Sequence, residues 1–125
     1  MKTDYPTIEN IHEVAVRGAK QRWETFYDAL ADVFYWKKPV LSKKARLVGL
    51  SHQVSLYVTS EGEIEGIFIE MFQYHFLKEH RELAEMKKNV QGYMPETLIE
   101  KFSESVIKDI EQDGQGQAML EKLVI

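Results

Sequence analysis

The sequence predicts a mainly α, single-domain helical bundle of about four helices, near residues 8–36, 43–59, 62–89 and 95–112. Three observations support this fold class. Residues 64–77 are apolar on almost every side, and the segments before and after them carry apolar stripes at helical spacing. A chain of 125 residues is also long enough to bury one core. We therefore expect one domain over residues 1–125, with the helix at 62–89 in its centre.

The first predicted helix begins after Thr7, a good N-cap, and ends before Pro39, because the residue preceding a proline disfavours helical geometry. Gly18 lies among the small residues Ala15 and Ala19, which indicates that another helix approaches closely there and not that the helix breaks. Apolar residues recur at steps of three and four, namely Ile8, Ile11, Ala15, Ala19, Trp23, Phe26, Leu30 and Val33.

Residues 43–70 permit two interpretations. Their apolar residues fit a helical stripe, yet Val54, Leu56 and Val58 also alternate as in a strand. Ser60 could begin a helix as part of a capping box, or Gly62 could form a hairpin turn in the left-handed conformation. The helix is favoured because the apolar spacing continues into strong helix formers at 78–89, and because a lone two-stranded hairpin is seldom stable. The alternative is an α+β fold with a short antiparallel sheet in residues 45–70.

The last predicted helix opens at Pro95 and is followed by a tail. Its apolar stripe is Ile99, Phe102, Val106 and Ile110. Residues 114–125 form a short apolar C-terminal tail after a Gly-containing joint. Such a tail is expected to return to the core or to enter an interface, for which the candidates are Leu120, Leu123, Val124 and Ile125.

Composition and charge restrict the function. The chain has no cysteine, no signal peptide and no apolar run long enough to span a membrane, so we expect a cytoplasmic protein that does not bind a membrane. The net charge of −4 is the sum of +3 in residues 1–50 and −7 in residues 51–125. Unlike halves attract each other within one domain, and they also allow two copies to pair as a homodimer.

One group of residues has the types needed for acid–base or metal chemistry. Glu70 lies in the apolar stretch, and His75 and Glu79 share a helical face if the segment is a helix. These three are the candidates for a helical enzyme or metal binder. The histidine spacing does not favour a zinc site, and no cofactor motif is present, so neither a metal nor a cofactor is expected.

A basic stretch provides a candidate anion site, formed by Lys37, Lys38, Lys43, Lys44 and Arg46. Cations next to aromatic residues suit a phosphate-bearing partner, but the acidic remainder of the chain repels an extended nucleic acid, so nucleic acid is not the expected partner. With no catalytic constellation evident, the sequence favours a small non-enzymatic protein–protein interaction or regulatory protein with a protein partner, possible as a homodimer. The enzyme or metal binder and the anion contact are the alternatives.

Overall fold

The protein has an α+β fold, and the predicted mainly α helical bundle is wrong. The computed structural model describes residues 8–88 and 92–112, with side chains from residue 13 onward. In chain order the elements are α1 (Ile8–Lys20), β1 (Glu24–Asp28), β2 (Val33–Lys37), β3 (Arg46–Gly49), β4 (Val54–Val58), β5 (Ile64–Glu70), α2 (Leu77–Glu79), β6 (Gly92–Tyr93) and α3 (Glu96–Gln112). A π-helical turn at Phe72–Phe76 precedes α2, and a 3-10 helix at Arg81–Lys87 follows it.

The strands form one six-stranded sheet in the order β3-β4-β5-β2-β1-β6, in which every neighbouring pair is antiparallel. The central strand β5 falls within the segment that the sequence places at the centre of the fold. That segment is central, as predicted, but it is not one helix. It consists of a strand that is followed by short helical turns. Hairpins join β1 to β2, β3 to β4 and β4 to β5, while β2 pairs with β5 across the middle of the sheet.

The predicted first helix is too long because its second half is the β1–β2 hairpin. The helix ends at Lys20, and Arg22 adopts a left-handed conformation with φ of 54°. The Asp28 carboxylate then accepts hydrogen bonds from the amides of Leu30 and Ala31, which folds the chain back. Asp side chains favour such turns, and the aromatic residues on either side favour strands. Local turn chemistry therefore overrides the apparent helical stripe.

The helix predicted at 43–59 is replaced by β3 and β4, and the first part of the helix predicted at 62–89 is replaced by β5. Gly62 has φ of 83°, and its amide donates to the carbonyl of Thr59, so residues 59–63 form the hairpin turn and not a capping box. The rejected α+β alternative is closer to the structure over residues 45–70, although the sheet extends well beyond them. The helix predicted at 95–112 agrees with α3, which begins at Glu96 after Pro95.

All the described helical parts that pack on the sheet do so on one face. Gly18 on α1 lies against the Trp36 ring. Phe102 on α3 packs edge-on against the rings of Phe34 and Trp36. Phe72, in the π-helical turn, stacks on Phe34 at a centroid distance of 4.4 Å. Side chains alternate between the faces of a strand, so the neighbours of these core residues point to the opposite face of the sheet. No described helix is long and apolar enough to cross a membrane.

A close approach is observed at Gly18, but its nearest neighbours are the rings of Trp36 on β2 and of Trp23, and not the second helix that the sequence predicts. A Cβ atom there would lie 2.6 Å from Cη2 of Trp36 and 3.0 Å from Cε3 of Trp23, and both rings are buried. We expect Gly18→Ala to destabilise the fold by about 1 kcal/mol, since overpacking outweighs the gain in helix propensity. Gly49→Ala is the matched control, because its nearest neighbour would be Oγ of Ser55 at 3.9 Å. Urea denaturation measures both, and an equal loss in the control would contradict the packing argument.

Candidate functional site

The sheet face away from the helices carries a row of aromatic side chains. Phe26 pairs in register with Tyr35, and Tyr35 with Phe68, so one ring from each of β1, β2 and β5 lies along a line across the strands. We call these three residues the ring row. The rings of Tyr35 and Phe68 pack edge to face at 5.2 Å, and Tyr57 on β4 packs edge to face on Phe68 at 6.5 Å.

Apolar surface on this face remains in contact with water. Phe26 is 39% exposed, and Leu47, which pairs with Tyr57, is 47% exposed. Tyr57, at the centre of the cluster, is half-buried, and this burial, with a smaller electrostatic contribution from Tyr35, raises the pKa of Tyr57. We call Phe26, Tyr35, Leu47, Tyr57 and Phe68 the open face. No described helix covers it.

A strained corner adjoins the open face where the β1–β2 turn meets the end of β5. Asp32 and Met71 both have positive φ, at 56° and 51°. The Asp32 carboxylate accepts hydrogen bonds from the Tyr27 hydroxyl at 2.6 Å and from the amides of Gln73 and Tyr74 at 2.9 and 3.0 Å. The arrangement fixes the start of the π-helical turn.

The hydrogen bonds at this corner also determine its protonation. Burial opposes ionisation of Asp32, but the bonds from Tyr27, Gln73 and Tyr74 outweigh it and lower the pKa of this carboxyl. For Tyr27 the two effects act in the same direction. Burial, and after it the hydrogen bond to Asp32, raises the pKa of Tyr27 to about 12. The ionised carboxylate and the neutral phenol are therefore the stable pair.

A second polar group lies at the buried contact between α3 and the β3–β4 turn. The carboxylate of Asp109 accepts hydrogen bonds from Ser51 at 3.0 Å and from Gln53 at 3.3 Å, and it lies 3.4 Å from Nε2 of His80. Serine, histidine and aspartate are the residue types of a nucleophilic triad, but here the aspartate stands between the other two. A nucleophilic serine needs the histidine as its direct base. This group therefore stabilises the packing of α3 and is not arranged for nucleophilic catalysis.

Of the three proposed acid–base or metal residues, the structure brings together two. Nδ1 of His75 lies 3.1 Å from Oε1 of Glu79 and 3.0 Å from Oε1 of Gln53, and both His75 and Glu79 are exposed. Glu70 is exposed at the end of β5, on the face opposite the buried Ile69. Among the described residues, no group of three His, Asp or Glu side chains has the geometry to hold a metal ion.

The five basic residues are divided among three environments. Nζ of Lys37 lies 5.1 Å from the centre of the Phe26 ring, next to the ring row, and Nζ of Lys38 lies 3.4 Å from the buried carboxylate of Glu65. Lys43, Lys44 and Arg46 are exposed in the β2–β3 connection and at the start of β3. The four tail residues Leu120, Leu123, Val124 and Ile125 lie outside the described residues.

The fold and the open face define an α+β protein whose antiparallel sheet is covered by its described helices on one face only. We find no significant match for the chain among protein-family models, curated proteins or solved structures. Sequence reasoning missed the open face because it placed Phe26 and Phe68 on helices. The signal available was the run of aromatic residues at 34–36, which is typical of a strand.

Proposed function

We propose that the protein is a non-enzymatic protein–protein interaction or regulatory protein of the cytoplasm, and that its protein partner binds the open face. The observation that carries this proposal is the ring row. An antiparallel sheet with one solvated face normally alternates apolar residues inward with polar residues outward. Here the outward positions at the middle of three adjacent strands are Phe26, Tyr35 and Phe68.

Contacts among the rings explain only part of why aromatic residues occupy these outward positions. Cross-strand aromatic pairs stabilise a sheet, and Tyr35, Tyr57 and Phe68 are half-buried in such pairs. Phe26 and Leu47, however, lie at the two sides of the cluster with more than a third of their surface exposed. Phe and Tyr are enriched in protein interfaces, where a partner removes this apolar surface from water.

Charge on the open face favours a protein over a nucleic acid. Glu24, Asp28 and Glu70 occupy outward positions around the ring row, against the single cation Lys37 among the paired positions of β1, β2 and β5. These carboxylates repel phosphate groups. The edge-to-face packing of the rings also leaves less flat surface for stacked bases.

The test is site-specific photo-cross-linking in the cells that express the protein. A photoreactive amino acid at Phe26 is expected to give a discrete cross-linked protein product. The matched control places it at Val16 on α1, which is 58% exposed on the helical side. Products at Phe26 that are absent at Val16 support the open face as the binding surface. No product at Phe26, or identical products at both positions, would contradict it.

A further inference from the structure

We infer that a cavity between the end of α1, β6 and the start of α3 binds a small organic carboxylate. The apolar part of the ligand lies next to Trp23 and Trp36, and its carboxylate lies next to Arg22 and the first turn of α3. The inference goes beyond the proposed function, because the cavity shares no residue with the open face. Its volume is about 170 Å³. A cavity of about 150 Å³ is large enough to bind benzene, so one ring with a small polar group fits.

The floor of the cavity is apolar and aromatic. Trp23, Trp36 and Met94 line it and are buried. The two tryptophan rings pack edge to face at a centroid distance of 5.2 Å. The cavity opens to solvent between exposed residues of the surrounding elements, namely Ala19, Arg22, Tyr93 and Glu96.

One hydrogen-bond donor in this floor has no partner. Among the described residues, two buried side-chain polar atoms lack a hydrogen bond, Nε1 of Trp36 and Oγ of Ser103. Atoms Cζ2 and Cη2 of Trp36 lie against Gly18, which also lines the cavity, and Nε1 belongs to the same edge of the indole. An indole N–H can only donate, and a buried donor without an acceptor is costly. A ligand in the cavity therefore gains by bringing an acceptor oxygen to this edge.

The groups at the mouth of the cavity favour an anionic acceptor. Cζ of Arg22 lies 4.5 Å from the centre of the Tyr93 ring, and the guanidinium has no ion-pair partner among the described residues. The helix α3 begins at Glu96, so the amides of its first turn present partial positive charge. The Glu96 carboxylate offsets the charge of Arg22. The donors that remain, the indole N–H and the helix N-terminus, still match the oxygens of a carboxylate, which a guanidinium also binds well.

The probe is sodium benzoate, and the readout is heteronuclear NMR spectroscopy of the indole N–H groups. Both tryptophans of the chain line the cavity, so both signals report on it. The Trp36 signal is expected to move downfield with a Kd of about 1 mM or tighter, because its N–H gains an acceptor. The N–H of Trp23 already donates to Oε1 of Gln21 at 3.0 Å, so its signal should move less. Gln21→Ala assigns the two signals, since it removes the acceptor of Trp23 alone.

Charge variants test which groups hold the carboxylate. Arg22→Gln is expected to weaken benzoate binding by about tenfold, because it removes the guanidinium. Lys20→Gln is the matched control, since it removes a nearby cation that does not line the cavity, and less than about a twofold change is expected. Glu96→Gln removes the carboxylate at the mouth and should tighten binding by about threefold. Circular dichroism verifies that each variant folds.

Benzamide has the shape of benzoate without its charge, and it is expected to bind at least about tenfold more weakly. The wild-type titrations with benzoate and benzamide need no variant, so they decide the inference even if Arg22→Gln does not fold. A Trp36 signal that does not move at about 10 mM benzoate would overturn the inference. Equal affinities for benzoate and benzamide, or equal weakening by Arg22→Gln and Lys20→Gln, would overturn it as well.

Discussion

Phe72→Ala is expected to destabilise the fold by about 3–5 kcal/mol, the usual loss when a buried aromatic side chain is removed. Phe72 is fully buried, with its ring stacked between Phe34 at 4.4 Å and Phe76 at 5.8 Å. These contacts attach the π-helical turn to the centre of the sheet. Urea denaturation followed by circular dichroism measures the loss.

Phe68→Ala is the matched control, because it removes the same side chain from the other face of the sheet. Phe68 is half-buried and loses only the edge contacts with Tyr35 and Tyr57, so we expect a loss of about 1 kcal/mol. Both variants should be compared at one low protein concentration, since association would add to the apparent stability. Equal losses for the two variants would contradict the assignment of the two faces. The sequence alone gave both residues the same interior position, and for Phe68 that prediction is wrong.

Asp32→Ala is expected to cost about 3–5 kcal/mol. The change removes the acceptor of two part-buried hydrogen bonds, from the Tyr27 hydroxyl and the Gln73 amide, and of an exposed one from the Tyr74 amide. Bonds to a charged group contribute about 1.5–3 kcal/mol each, so the two part-buried bonds account for most of the expected loss. Asp32 also has φ of 56°, which aspartate tolerates better than alanine. Asp32→Asn keeps this tolerance and one acceptor oxygen, so its loss should be clearly smaller. Equal losses would show that the carboxylate oxygens do not fix the corner.

The same carboxylate makes stability depend on pH. Because the pKa of Asp32 is lower in the folded state, its contribution is present above the unfolded value of about 3.9 and is lost as the pH falls through the folded value. Wild type should therefore lose more stability than Asp32→Asn between pH 5 and the acid limit of folding. The difference between the two proteins isolates Asp32, since Glu65 and Glu82, whose pKa values are also lowered, contribute to both. Parallel curves would contradict the role of Asp32.

Apolar spacing predicted burial better than it predicted the type of element. Ile67, Ile69 and Phe72 are interior, as the all-round apolar segment indicates, but the first two belong to a strand. In the N-terminal part, a step of three or four residues connects Trp23, Phe26 and Leu30. The structure places the first in the core, the second on the open face and the third fully in solvent. A periodic stripe cannot separate these positions when the chain reverses at Asp28.

The third strand of the sheet decides between the two interpretations of residues 45–70. Local sequence disfavours a hairpin there, because a lone two-stranded hairpin is seldom stable. The third strand is β2, which lies within the segment assigned to the first helix. Because β2 pairs with β5 over five residue pairs, it supplies the support that a lone hairpin lacks. Pairing between distant segments is a tertiary property that local spacing does not contain.

The candidate site was predictable only in part. Lys37 was singled out for its charge and does lie beside an aromatic ring, but that ring belongs to Phe26, eleven positions earlier in the chain and on the neighbouring strand. The ring row exists only through the register of β1, β2 and β5. The pairing of His75 with Glu79 follows from their four-residue spacing, whereas their contact with Gln53 depends on the turn between β3 and β4.

The short strand β6 has a consequence for the order in which the protein folds. The hydroxyl of Thr25 on β1 bonds to the carbonyl of Gly92, 67 residues away along the chain. Hairpins between neighbouring strands close small loops and form early, whereas a contact across so long a loop carries a large entropic cost until the intervening sheet has formed. We therefore expect β6, at one edge of the sheet, to be the last strand added. Its two residue pairs with β1 are expected to form only after the three hairpins and the β2–β5 pairing have brought residues 24–25 and 92–93 together.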